Sequence, residues 1–412
     1  MKNLIQNNRF LTLVLISLLF FQLIYSFLFP AAGFNDNWLP VADYLPKFRV
    51  ESSDSFLLEK VYPLIPRGYR LNSDVGHYLE LAKDFTPEYF KNHVLLSRPL
   101  YSFLVFSVSL PGRFFVAPSY GIIFGLAILV NFILMTFAVL LFFGLLKKIF
   151  SLKTAFLSSV LLIFSPFSHA SILQPRAEIL TVFSVVASAY LLYNYAKKPS
   201  TFKLAVFSLV IGVFMLAKMF FALPLFIILL AVYLRRYKEG FAFFVIHLIP
   251  FFLWYLFVTQ VWRIPFYIHE IQYYGEEMWI FKIFQLPWQQ TYKLLLESLP
   301  NFIKGLIYSF LLIPVIFSVI GLRRLRVSLG NILYLGPIFS VFLLSLFTNT
   351  YYPRIIFLLF PIIYPTCVLG IDRAANFFKN YQSWLYPIFY VAAVGFIIVI
   401  SNINIYQIFY YL

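Results

Sequence analysis

Charge is scarce in this chain. Of 412 residues only 12% are charged, and Asp and Glu together number 16. A soluble domain carries about 25% charged and about 45–50% apolar residues. Here 62% are hydrophobic, too many to be hidden inside an ordinary soluble globule. Disorder is excluded as well, because 21% of the residues are aromatic and disordered chains are aromatic-poor and charge-rich. Cysteine is almost missing. Cys367 stands alone, so no intramolecular disulfide and no cysteine-based metal site can form. No internal repeat or low-complexity tract is visible, which argues against a transporter made of repeated halves. The class left is an all-α, polytopic transmembrane helical bundle.

A helix needs about 20 apolar residues to cross the hydrocarbon core. The first such run is 10–29, read as an uncleaved span rather than a signal peptide because its apolar stretch is long. Further apolar runs lie near 115–146, 154–169, 178–196, 203–218, 219–234, 241–259, 302–321, 331–348, 354–371 and 384–408. That makes about eleven spans. The pair 203–218 and 219–234 requires a tight hairpin near Lys218. Two polar segments, about 30–114 and 260–300, are expected as the large external loops. Within the first, 99–110 is apolar but too short to cross and is expected as a helix at the outer membrane face. Residues 78–85 have helical spacing and are expected as an amphipathic helix lying on the membrane. One module covers 1–371, and 372–412 holds a last cytoplasmic loop and helix.

Net charge is +16, which in a soluble protein would point to nucleic acid. Its distribution says otherwise. Basic clusters fall in short connections: Lys147, Lys148 and Lys153; Lys197, Lys198 and Lys203; Arg235, Arg236 and Lys238; Arg323, Arg324 and Arg326; Arg373 and Lys379. The positive-inside rule places all five in the cytoplasm, with the N-terminus. Together with Lys2 and Arg9 they hold sixteen of the 32 basic residues against only Glu239 and Asp372. The charge is therefore a topological signal, and nucleic acid is not an expected partner. The other fourteen acids lie outside, so a catalytic carboxylate is expected there.

Asp74 precedes a helical pattern in which Tyr78 and Ala82 follow at four-residue steps. On spacing alone Asp74 reads as a helix N-cap. The pattern Asp74-x-x-x-Tyr78-x-x-x-Ala82 resembles the first external loop of the GT-C glycosyltransferases. These polytopic enzymes use polyprenyl-phosphate-linked sugars; protein O-mannosyltransferases and aminoarabinose transferases are among them. The likeness continues in order. Ser97-Arg98-Pro99-Leu100-Tyr101 is similar to the family's basic-Pro-Pro-Leu element, with Leu100 where the family has its second Pro. Pro175-Arg176-Ala177-Glu178 resembles the external turn with a second acid. Gly212 to Leu223, with Leu216-Ala217-Lys218, resembles a Gly…Leu-x-Lys hairpin. Pro353-Arg354-Ile355 resembles the late Arg-Tyr…Pro segment, with Ile355 in place of Tyr. Where the family often pairs two acids, this chain has Asp74-Val75.

The resemblance implies a membrane glycosyltransferase with an extracytoplasmic site and an inverting single displacement. A bacterial plasma membrane is the expected location. Asp74 is the implied base, which takes the acceptor proton. Glu178 is the implied second acid; its structural alternative is a helix-start acid paired with Arg176. Arg98, Arg176, Lys218 and Arg354 are implied ligands of the lipid phosphate. Snorkelling to head groups is the alternative for Arg98, Lys218 and Arg354. His77 and Tyr78, in the same motif as Asp74, are implied substrate contacts. His77 and His93 lack metal spacing, and on spacing alone each reads as a surface or interfacial histidine; no cofactor is indicated, and a divalent metal stays open. The aromatics Trp262, Tyr267, Tyr273, Tyr274, Trp279 and Trp288 are expected mainly as an interfacial belt. The expected partners are a polyprenyl-phosphate sugar, a glycan, lipid or protein acceptor, and the bilayer. Two alternatives stay open: a transporter or flippase for a lipid-linked sugar, and a non-catalytic lipid-binding relative of the fold.

Overall fold

The computed structural model describes residues 8–28, 74–90, 96, 98–115, 118–217, 235–265, 287–323, 353–379 and 384–402. The described residues are helical, with no strand among them. In chain order the helices are α1 (Asn8–Leu28), α2 (Asp74–Lys83), α3 (Pro87–Phe90), α4 (Leu100–Arg113), α5 (Tyr120–Ile149), α6 (Leu152–Ile163) and α7 (Pro166–Ser171). They continue with α8 (Glu178–Lys197), α9 (Thr201–Phe214), α10 (Tyr237–Leu256), α11 (Trp288–Phe310), α12 (Leu312–Leu322), α13 (Pro353–Ile356), α14 (Phe360–Lys379) and α15 (Leu385–Asn402).

Among the described residues six stretches are long and apolar enough to cross a bilayer. They are Arg9–Leu28, Tyr120–Ile149, Glu178–Lys197, Tyr237–Val261, Phe357–Phe377 and Leu385–Asn402. This is consistent with a multi-pass membrane protein. The expected run 302–321 is not one straight helix. Leu311, at φ 65°, separates α11 from α12, and the two halves are bent by 105°. Likewise the run 154–169 breaks after α6, where the Ser165 side chain caps the short α7 and Pro166 starts it. The expected runs 219–234 and 331–348 lie outside the described residues.

Side-chain contacts gather four of the five basic connections at one end of the bundle; in the remaining one, Arg324 and Arg326 lie outside the described residues. Lys148 Nζ donates to Asn194 Oδ1 at 2.9 Å, joining α5 to α8. The Tyr195 hydroxyl donates to Glu239, which also pairs with Arg236 at 3.3 Å. Lys153 Nζ meets Asp372 at 3.3 Å and the Tyr386 hydroxyl at 2.6 Å. Both acids of the basic connections thus have partners. The α5 helix has 30 residues. At about 1.5 Å per residue it is roughly 45 Å long, and it carries the chain well past a hydrocarbon core of about 30 Å.

At the far end, helices α2 and α4 close over the bundle. The expectation of α2 lying on the membrane is corrected: Val75, Tyr78, Leu79, Leu81 and Ala82 are all buried in protein, against α4, the start of α5 and the start of α8. Arg113 Nη2 donates to the Ala82 carbonyl at 2.9 Å, and so takes up a C-terminal carbonyl of α2. The α4 helix has 14 residues, about 21 Å, too short to cross.

Two helices touch through their backbones. Phe310 lies beside Phe357 and Tyr364, and Gly321 beside Thr366 and Gly370, so α12 runs in the same direction as α14. A Cβ on Gly321 would fall on the Thr366 carbonyl, and one on Gly370 on the Phe317 carbonyl. Close backbone approach at small residues is how helices gain packing energy within lipid. Gly125 in α5 has open space instead. The expectation is that Gly321→Ala and Gly370→Ala each cost about 1–3 kcal/mol. Gly125→Ala should stabilise by about 0.5–1 kcal/mol through helix propensity. Thermal unfolding of the detergent-solubilised protein checks both signs.

Candidate functional site

The far end holds a chain of polar contacts built around one amide. Asn131 is the one amide inside the long apolar stretch of α5, whose other polar side chain, Thr136, bonds back to the Phe132 carbonyl of its own helix. Its Nδ2 donates to the Gln174 carbonyl at 2.7 Å and the Ile172 carbonyl at 3.3 Å. Its Oδ1 accepts from the Tyr101 hydroxyl of α4 at 3.0 Å. Every polar atom of this buried amide has a partner, as burial in apolar surroundings demands. The Tyr101 ring meets Tyr78 edge-on at 5.5 Å, and Ser102 Oγ donates to the Tyr78 carbonyl at 3.2 Å. Asn131 therefore ties the first-loop helices α2 and α4 to the turn that precedes α8.

That turn carries a buried ion pair. Arg176 Nη2 lies 3.0 Å from Glu178 Oε1, and the two side chains are 5% and 10% exposed. Arg176 Nη1 also reaches Gln174 Oε1 at 3.4 Å. Glu178 is in the first turn of α8, where the helix dipole favours an anion. Its charge is felt at Tyr101. Burial, then Glu178, then Tyr78 push the Tyr101 hydroxyl well above its ordinary range. Tyr101 stays neutral and acts as a donor.

The expected site residues are placed as follows. Tyr78, Arg176 and Glu178 belong to this one cluster or its rim, with Val75, Ala177, Leu180 and Ala217 among its buried apolar members. His77 is on α2 and partly buried. Arg98 is partly buried just before α4, whose first amide, Leu100 N, donates to the Leu216 carbonyl at 3.2 Å. The elements of the resemblance at 98–101 and 216–217 therefore touch. Asp74 opens α2, but its side chain lies outside the described residues. Lys218 also lies outside them, and of Arg354 only the backbone, in α13, is described. Its neighbours Ile356 and Phe357 pack in the main bundle core, with Phe357 stacked on Phe167 at 4.2 Å.

Trp262 is not a free aromatic of a belt. It packs with Phe85, Phe90 and Trp254 at 5.0–6.0 Å, and Trp254 Nε1 donates to the Leu96 carbonyl at 2.8 Å. These rings fix the segment after α2 to the end of α10. Tyr267, Tyr273, Tyr274 and Trp279 lie outside the described residues, and Trp288 is exposed at the start of α11. Among the described residues no group of three or more His, Cys, Asp or Glu could hold a metal ion.

Asn131 and Arg113 carry structural roles that no motif indicated, and Tyr101, the last residue of the 97–101 element, carries one that the resemblance did not assign. A signal existed for Asn131: a polar side chain in the membrane is costly unless it has work and partners. No protein-family model matches the chain, and no curated protein matches it.

Removing one partner of a buried ion pair leaves a charge without compensation. Arg176→Met or Glu178→Gln alone is expected to cost about 3–5 kcal/mol. The double variant Arg176→Met/Glu178→Leu should lie closer to wild type than either single variant. Unfolding midpoints of the three purified proteins in one detergent test the order.

Proposed function

We propose that the protein is a GT-C-type membrane glycosyltransferase that takes its sugar from a polyprenyl phosphate. One observation supports the reading. Four of the five segments that carry the resemblance, at 74–82, 98–101, 176–180 and 212–217, meet around one buried cluster. That cluster lies at the end of the bundle away from the basic connections. By the positive-inside rule this end is extracytoplasmic. The long lysine-terminated α5 and α8 set the distance between the two ends.

In the proposed reaction an acceptor hydroxyl or amine attacks the anomeric carbon. The new bond forms as the bond from that carbon to the phosphate oxygen breaks, and its electron pair leaves with the phosphate. Asp74 takes the acceptor proton. Arg98, Arg176, Lys218 and Arg354 are the cations assigned to the charge that grows on the leaving phosphate. Arg176 is already committed to Glu178, so in this reading the pair acts as a preformed dipole at the cluster edge. A guanidinium held in this way needs no reorganisation as charge develops. The acceptor and donor meet at a membrane face, which supplies proximity.

Purified protein in vesicles, supplied with polyprenyl-phosphate sugars and candidate acceptors, tests the proposal. Asp74→Asn is expected to lower transfer by about 10²- to 10⁴-fold, the range of general-base catalysis, with donor binding retained. Transfer unchanged by that substitution removes Asp74 from the role. Movement of the lipid-linked sugar across the membrane without transfer replaces the enzyme reading with the flippase.

A further inference from the structure

The α11 helix is unlike the other long helices. Its three sides differ. Thr291, Gly305 and Ser309 are buried in the bundle on one side; Phe310, about five turns after Tyr292 and so on its side, is buried against Phe357 and Tyr364. Trp288, Tyr292, Leu296, Leu299 and Ile303 are exposed, and they recur every three or four residues as one continuous stripe. The remaining side is exposed and polar, with Gln289, Lys293, Asn301 and Lys304.

The direction of α11 gives this stripe its meaning. The α12 helix runs beside α14 in backbone contact, and α14 belongs to a candidate span. α12 therefore runs along the membrane normal. The Leu299–Phe310 part of α11 is turned from it by 105°, close to a right angle. A helix at a right angle to the normal lies in the membrane plane. The line of the stripe ends at Phe310, which enters the bundle and packs on Phe357 and Tyr364 of a candidate span. The stripe therefore faces the side on which the apolar spans lie, and beyond the edge of the bundle that side is hydrocarbon. Trp and Tyr at one end and lysines on the polar side are the composition expected where acyl chains give way to head groups.

We propose that α11 is an in-plane membrane helix whose stripe of Trp288, Tyr292, Leu296, Leu299 and Ile303 is docked on the lipid surface. It does not cross the bilayer, and it is not part of a solvated loop. This holds whether or not the chain transfers sugars.

The test uses the full chain in vesicles of phosphatidylcholine and phosphatidylglycerol. Cys367 is the single native cysteine and is fully buried, so it can stay in place. Single cysteines are introduced at Tyr292, Leu296, Leu299 and Ile303, and at Lys293, Asn301 and Lys304, then labelled with a nitroxide. Phe20 and Phe21, exposed on α1, serve as lipid-facing references, since a label there reports a folded bundle. The stripe positions are expected to collide with dissolved oxygen several-fold more than with a water-soluble nickel complex. The polar positions should show the reverse. Depth at the stripe should stay constant along the helix. A steady change in depth from 292 to 303 overturns the proposal in favour of a crossing helix. Water-like accessibility at the stripe overturns it in favour of a solvated one. Labels immobile and closed to both reagents, with the α1 references normal, overturn it in favour of a protein partner.

Discussion

The amide of Asn131 decides how the first loop meets the bundle. Inside a helix of apolar residues it has no neighbour of its own to bond, and water is excluded. Each of its atoms must then draw a partner from another segment. The Tyr101 hydroxyl comes from α4, and the carbonyls of Ile172 and Gln174 come from the turn before α8. A single bond of this kind is worth about 1 kcal/mol net, but an orphaned buried group costs about 1–3 kcal/mol. The amide is thus selective more than strong: arrangements that leave it without partners are the ones removed. Tyr101 brings Tyr78 and α2 with it, and Gln174 brings Arg176 and Glu178. Residues some hundred positions apart are thereby held at one end.

Much of this was legible in the sequence. Sparse charge and plentiful aromatics gave the class. The basic clusters predicted a common end, and contacts from Lys148, Lys153 and Glu239 bring four of the five segments together. Glu178 was legible as a helix-start acid beside Arg176, and the two pair. Other parts were hidden for physical reasons. The spacing of Tyr78, Leu81 and Ala82 revealed an apolar face of α2 but could not say whether lipid or protein covers it; α4 and α5 do. The α11 helix was cut in two by hydropathy: its first half scored as a polar loop and its second as the start of a span. Amphipathic helices that lie flat have modest mean hydropathy and escape a search for spans. The break at Leu311 had its signal in Pro314, which has no N–H for the Phe310 carbonyl and is tolerated only in the first turn of a helix. Asn131 leaves little trace in the sequence, because one amide barely alters the apolarity of the stretch around it.

The two polar assemblies differ in what they do for the fold. At the basic end, Lys153 sits between Asp372, Tyr386 and the face of Tyr390, and so fastens α6, α14 and α15 to one another. At the far end, Asn402 accepts from Gln22 at 3.0 Å, donates to the Phe164 carbonyl at 3.2 Å and lies 3.1 Å from His169. The α15 helix is therefore held at both ends by side chains of other helices, while much of its length faces outward with apolar groups. The Arg176–Glu178 pair is of another kind. It joins residues of one turn, so it shapes a local surface and adds little to holding helices together.

The contact of Gly321 and Gly370 has a mechanical meaning. Where side chains separate two helices, a change of rotamer lets one slide on the other. Here carbonyl groups lie against α-carbons, and no such layer exists to yield. The α12 and α14 helices must shift as one body. At the corner beside Leu311, Phe310 lies directly on Phe357 and Tyr364, so the base of α11 is seated on that same body rather than hung from it by the chain alone.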